Sequence, residues 1–358
     1  MANPQPRDYA LVVGIDDYPR YGSQGRNLKG AVRDAGRFYD WLTDSQTGGG
    51  LDPDNCRLMT SAGNPLGLTQ ASVDVALDDL WTRARASDDG GRRFYFFFSG
   101  HGQLVAGADA VTYAQSLCLP HWSRTMPHAA INADSYADVV KTCMPFEEVA
   151  MFVDCCRVPS VKVRAFDSSV GCSQPLDGFD LVNRMAFFAA EPMRRAFEGD
   201  FAAEDDDAEP EVHGFFTTAL LEGLEAGSDR PGGGIGAEAL WKHLDYRLPM
   251  LADARGRRQV PRRAPLLFSD DVVFGAAKVA APEAPDVPNF EIRFTGDRVG
   301  PVRLLDADAT PVREGMPDSG PWTVRLVPNR TYMLVDDGDG TMRSFVFLPA
   351  MEGRHDNF

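Results

Sequence analysis

Nowhere in the 358 residues does an apolar run approach the roughly 18 residues that a membrane-spanning helix needs. The opening stretch, MANPQPRDYALVVGI, has neither the basic segment nor the long apolar core of an export signal. Both absences lead to the expectation of a cytoplasmic protein with no membrane partner. Positive charge is also scarce: 36 Lys and Arg stand against 52 Asp and Glu, a net charge of −16. Nucleic acids reward basic surfaces, so none is an expected partner, despite the local arginines of 255–263. The six cysteines (Cys56, Cys118, Cys143, Cys155, Cys156, Cys172) show no C-x-x-C pairing of the metal-binding kind. In a reducing compartment they are expected to be mostly free thiols, so any special one is special for its reactivity. A P-loop and a dinucleotide-binding glycine fingerprint are missing too, which leaves a nucleotide-dependent enzyme without motif support.

What is present is ordinary globular composition, 44% hydrophobic and 25% charged, in a chain long enough for one large domain plus a small one. Short apolar runs recur at 9–15, 56–61, 94–98, 149–153, 184–190 and 266–268. Their lack of alternation fits strands covered on both faces. Between them lie amphipathic segments. In LKGAVRDAGRFYDWLT, residues Leu28, Val32, Ala35, Phe38, Tyr39 and Leu42 fall on one helical face; ASVDVALDDLWTRA and GFFTTALLEGLEAG keep the same period. Alternating strands and helices predict an α/β sandwich around a mostly parallel central sheet.

After about residue 275 the texture changes. AAKVAAPEAPDVPN reads as a linker, and FEIRFTGD, VRLLDADATPV, WTVRLVPN, RTYMLVDDGDG and RSFVFLPA alternate as the strands of a small C-terminal β-sandwich. The expected units are 1–278, a linker at 279–288, and 289–358. EDDDAEPE (204–211) reads as a solvated acidic loop and GSDRPGGGIG (227–236) as a flexible connection.

FYFFFSGHGQ (94–103) runs five aromatic side chains straight into Ser-Gly-His-Gly. Functional groups of an open α/β sheet gather at the carboxyl ends of its strands, and His101 falls at such an end. Flanking glycines let the backbone come close to a substrate. On this stretch alone, a histidine that merely satisfies its own turn fits equally well. A second buried run, EEVAMFVDCCRVPS, ends in Asp154-Cys155-Cys156-Arg157. An imidazole at one strand end and a thiol at another can form a dyad in which the ring draws off the thiol proton and the thiolate attacks a carbonyl. His101 precedes Cys156 by 55 residues, near the spacing of about 50 known for caspases.

With these pieces in place the chain resembles the caspase-like cysteine peptidases, above all prokaryotic caspase homologues and metacaspases. The matching segments are YALVVGIDDYP (9–19), LKGAVRDA (28–35), FYFFFSGHG (94–102), MFVDCCR (151–157), FFAAEP (187–192), HGFFTTALLEGL (213–224) and PLLFSDD (265–271), in the family's order. The Gln-Ala-Cys signature of animal caspases is absent. The resemblance implies that His101 is the catalytic histidine and Cys156 the nucleophile, with Cys155 an inert neighbour. It also implies an oxyanion hole from the backbone amides of Gly102 and Cys156.

By the same resemblance Asp34, Ser99 and Asp154 line the pocket for the residue before the cut. Two carboxylates in a narrow cleft pair with Arg or Lys and repel Asp, so the expected substrate is a protein or peptide cut after a basic residue. Bland alternatives stand beside these roles: an exposed helix charge for Asp34, a helix cap for Asp154, a bond within its own turn for Ser99. Arg157 stands where metacaspases carry His-Ser-Gly; it either raises the thiolate population or pairs with a surface carboxylate. No cofactor is expected. Calcium activates many metacaspases, and Asp134 and Asp138 are candidate ligands here, but an acidic residue soon after the nucleophile is missing. Lys162 and Arg164 mark a segment suited to self-processing. His213 reads as structural or as a loop contact; His121, His128, His243 and His355 carry no assigned role. The family association is with bacterial signalling, defence and regulated cell death. The competing reading is an inactive caspase-fold scaffold that binds partners through its C-terminal β domain, which equally suits docking of an activator or substrate.

Overall fold

The computed structural model describes residues 5–357 except 22–26, 107–112, 124, 160–164, 202–209, 227–233, 266–271, 276–287, 295–299, 307–310, 318–319, 328–329, 339, 348–350 and 352. Lys162 and Arg164, most of the acidic stretch, 227–233, the apolar run at 266–268 and nearly all of the expected linker lie outside the described residues.

Six strands make the central sheet: β1 (Asp8–Gly14), β2 (Cys56–Thr60), β3 (Gly91–Ser99), β4 (Phe146–Asp154), β5 (Asn183–Phe188) and β6 (Arg262–Ala264). Their order is β6-β5-β4-β3-β1-β2, and all pair in parallel except the edge strand β6. The aromatic run of β3 explains how such a sheet is filled. Successive side chains point to opposite faces. Phe94, Phe96 and Phe98 therefore enter one core, while Tyr95 and Phe97 enter the other. The first core is covered by α2 (Gln70–Ala86) and α3 (Ala133–Cys143). The second is covered by α1 (Ala31–Thr43), α4 (Phe215–Ala226) and α5 (Ala237–Asp253). The result is the expected three-layer α/β/α sandwich. Each buried Phe contributes about 1.5–3 kcal/mol relative to an exposed one. None of the described helices is long and apolar enough to cross a membrane.

Local sequence sets several helix starts. Thr69 and Ser72 form a reciprocal capping box at α2, and Asn132 accepts from the Asp134 amide at α3. The chain leaves β1 for β2 on one side and returns to β3 on the other. The carboxyl ends of β1 and β3 thus flank a switch point, where open sheets place their crevice.

Cys143 and Cys172 are joined in a disulfide, which corrects the expectation of free thiols for this pair; Cys56, Cys118, Cys155 and Cys156 are free. Their Cα atoms lie 5.4 Å apart although 29 residues separate them, a proximity that no spacing rule reveals.

The C-terminal strands form a three-stranded sheet, with Phe290–Arg293 between Trp322–Val324 and His355–Asn357, and a four-stranded sheet of Val302–Leu305, Pro311–Gly315, Arg330–Asp336 and Met342–Phe347. They enclose a core of their own that includes Ile292, Leu304, Trp322, Leu334 and Phe347. Ser344 donates a hydrogen bond to the Met250 sulfur on α5.

Candidate active site

The register of the sheet positions His101 and Cys156. On β3 and β4, Ser99 pairs with Asp154. Both chains then rise off the sheet and pair again in parallel, Gln103 with Val158, within a small second sheet. Gly100–His101–Gly102 and Cys155–Cys156–Arg157 are therefore matching three-residue arches, each bracketed by the same two pairings. His101 and Cys156 occupy the middle of their arches, on strands that lie about 4.8 Å apart. Both line one cavity of about 490 Å³ at the carboxyl end of the sheet.

The two neighbouring thiols are treated differently. Cys155 is buried, with its sulfur beneath Gly102 and 3.1 Å from the Gln115 side-chain amide. A Cβ on residue 102 would collide with that sulfur, so glycine is required there. Cys156 is only half-buried, and its thiol lies 3.5 Å from the Ala196 carbonyl. Burial pushes the Cys156 thiol up, against the opposing influence of the Ala196 contact and the Arg195 charge.

His101 stands in an aromatic box. Its ring is 4.6 Å from that of Tyr18, 5.6 Å from Tyr21 and 6.5 Å from Trp122. Its backbone amide donates to the Tyr18 hydroxyl at 2.7 Å, and that hydroxyl donates onward to the Cys118 carbonyl. The ring's orientation is thus restrained by packing and its backbone by a buried phenol.

Asp34, Ser99 and Asp154 line the same cavity. Asp34, at 1% exposure, is no surface charge: it accepts from the His213 ring at 3.0 Å and from the Gly214 amide at 2.8 Å. Asp154 does cap a helix, accepting from the amide and hydroxyl of Thr217 near the start of α4, yet it also faces the cavity. A Cβ on residue 214 would meet both carboxylates, which brackets how close together they lie. Burial, then the Asp34 charge, pushes the Asp154 carboxyl up to about 7. Burial raises Asp34 as well, opposed by its bonds to His213 and Gly214. Ser99 is buried, and among the described residues its hydroxyl makes no hydrogen bond.

Arg157 does not make the surface ion pair that was one expectation for it. It is buried against the Phe188 ring rather than set on the surface, and no carboxylate pairs with it among the described residues. Asp134 and Asp138 both pair with Arg184, and neither lines the cavity. Among the described residues no cluster of three or more His, Cys, Asp or Glu side chains is arranged to hold a metal ion.

Several cavity residues escaped sequence reading: Tyr21, Trp122, Arg195 and Glu198. Glu198 accepts from the backbone amides of Lys29 and Gly30 ahead of α1. Nothing in MRRAFE marks it, because the signal is a contact across 168 residues.

A family model for the caspase domain matches residues 7–266. A probable protease from a Desulfuromonadales bacterium is 29% identical over 246 residues; the match covers 67% of this chain but 27% of that protein. The crystal structure of caspase-1 from Spodoptera frugiperda aligns at 11% identity with a TM-score of 0.42, over 74% of this chain and 88% of that one. On the match of the family model to most of its length, the chain belongs to the caspase-domain family of cysteine peptidases.

Proposed function

We propose that the protein is a cysteine endopeptidase that cuts after Arg or Lys, with Cys156 as nucleophile and His101 as its base. The observation that carries this reading is the pair of equal arches on adjacent strands, opening into one cavity. The Cys156 proton passes to the His101 ring as the sulfur adds to the substrate carbonyl. The amides of Gly102 and Cys156 donate to the oxygen as it gains charge. His101 then returns the proton to the departing amine, and water, deprotonated by the same ring, releases the acyl group from sulfur.

The basic side chain before the cut enters between Asp34 and Asp154, whose carboxylates are already oriented by His213, Gly214 and Thr217. The unengaged Ser99 hydroxyl supplies a further acceptor. In this reading calcium is dispensable, for Asp134 and Asp138 are already engaged by Arg184. The association with bacterial signalling, defence and cell death rests on the resemblance alone.

The test is cleavage of fluorogenic peptides ending in Arg, Lys or Asp, with and without EDTA. The expected result is turnover of the Arg and Lys peptides only, unaffected by EDTA and lost in Cys156→Ala. Activity that survives Cys156→Ala but disappears in Cys155→Ala moves the nucleophile to the other thiol. No turnover of any peptide favours the scaffold reading.

A further inference from the structure

The cation beside the nucleophile has a use that the ordinary dyad does not call for. Arg157 is 8% exposed and Gln115 is 1% exposed. The Arg157 side chain donates from Nε to Gln115 Oε1 at 3.1 Å and from a terminal nitrogen to the Ala190 carbonyl at 3.4 Å, over the Phe188 ring at 4.3 Å. Among the described residues its acceptors are neutral oxygens. Burying a guanidinium without a carboxylate is costly, and an apolar side chain would pack on Phe188 more cheaply. Stability alone therefore gives no reason for an arginine here.

The reason lies in which way the Gln115 amide faces. An arginine only donates, so the group turned toward Arg157 must be the amide oxygen. The amide nitrogen is then forced toward the nucleophile's arch. It lies 3.1 Å from the Cys155 sulfur and 3.4 Å from the Cys156 carbonyl oxygen, with the Gln103 carbonyl also at 3.4 Å. The backbone of Arg157 continues the linkage: its amide donates to the Arg194 carbonyl, and its carbonyl accepts from the Met193 amide, on the loop that brings Arg195 and Ala196 to the cavity.

We propose that Gln115 and Arg157 are a positioning pair: the guanidinium fixes the direction of the Gln115 amide, and that amide holds the Cys155–Cys156 arch at the height needed for attack. This deepens the peptidase reading and rests on it. Without the arginine the amide is free to turn over and set its oxygen against the Cys156 carbonyl, which pushes the arch away. Displacements of about 1 Å at a reacting group cost roughly 100-fold in rate.

Gln115→Glu separates positioning from mere packing. A glutamate at 115 gives Arg157 a carboxylate partner, so the fold is kept or strengthened, but it has no donor for the arch. The expected result for Gln115→Glu and Arg157→Met is a fall in kcat of about 10- to 100-fold on an Arg peptide, with KM within about twofold. Melting temperature should be unchanged or higher in Gln115→Glu, and Arg157→Lys, which keeps a donor toward the Gln115 oxygen, should recover most of the loss. Gln115→Glu with wild-type kcat, or a loss confined to KM, overturns the proposal. Iodoacetamide alkylation of Cys156 across pH provides a reading that does not depend on turnover. Slower alkylation in both variants is expected, and unchanged rates overturn the pairing. A wild-type protein that cuts no basic peptide sinks the peptidase reading instead, and the alkylation rates still decide this one.

Discussion

At the scale of single residues, Asp154 makes a prediction with a sign. Its carboxyl is pushed up to about 7, first by burial and then by Asp34, whereas in an unfolded chain it titrates near 3.9. Between those values the folded protein holds a proton that the unfolded chain has released. Folding stability therefore falls as pH rises from about 4 to about 7 and stays lower above that. Asp154→Asn should flatten this slope in denaturant titrations at about pH 5 and pH 8, making the variant the more stable protein at the higher pH. The same substitution should raise KM for Arg peptides at least about tenfold, since a charged hydrogen-bonded pair is worth roughly 1.5–3 kcal/mol. In the wild type, KM for these peptides should fall as pH rises through about 7. A KM independent of pH across that range would remove Asp154 from the pocket. Cys156→Ala should lower kcat by about 10⁴-fold or more, the usual cost of losing a nucleophile.

At the scale of elements, the Cys143–Cys172 bond ties the end of α3 to the segment before β5. Closing a loop of 29 residues restricts the unfolded chain enough to stabilise the fold by roughly 3–4 kcal/mol in the chain-entropy account. Cys172→Ser should lose about that much in oxidising buffer and show no difference from wild type under dithiothreitol, as read by urea denaturation. Equal stability of both proteins without reductant would mean that the bond does not form. Other elements show what local pattern reveals. Five of the six strands of the central sheet were readable because continuous apolar runs such as 149–153 must be covered on both faces; the sixth, Arg262–Ala264, has no such run. Helix α3 presents Ala133, Tyr136, Ala137, Val140 and Cys143 on one face at helical spacing, so its stripe was there to be read, whereas α5 has Pro249 within it, which reads as a break. The small sheet built on Gly102–Ala106 and Tyr113–Cys118 was missed too, although it brackets both arches.

At the scale of the whole molecule, every residue lining the cavity lies between Tyr21 and Gly214, and the C-terminal strands have a core of their own. A chain ended at residue 278 should fold and keep most of its turnover of short peptides, since domains with separate cores fold alone. Circular dichroism and the peptide assay check this. An unfolded or inactive fragment would make the β-sandwich a brace for α5, where Ser344 touches Met250, rather than a separate unit.

Apolar periodicity is a local property of a chain, and it alone determined the alternation of strands and helices, the change to a β unit near residue 275, and the arrival of a histidine and a cysteine at strand ends. The acidic balance was equally legible. Only the tertiary structure decided that Cys155 is buried beneath Gly102 while Cys156 is half-buried, that His213 stands behind Asp34, and that Arg157 turns inward to Gln115. Each of these is a contact between parts of the chain that lie 40 or more residues apart, or a choice between two adjacent side chains. The reason is physical: such contacts are chosen by the packing of the whole sheet, and no window of sequence contains it.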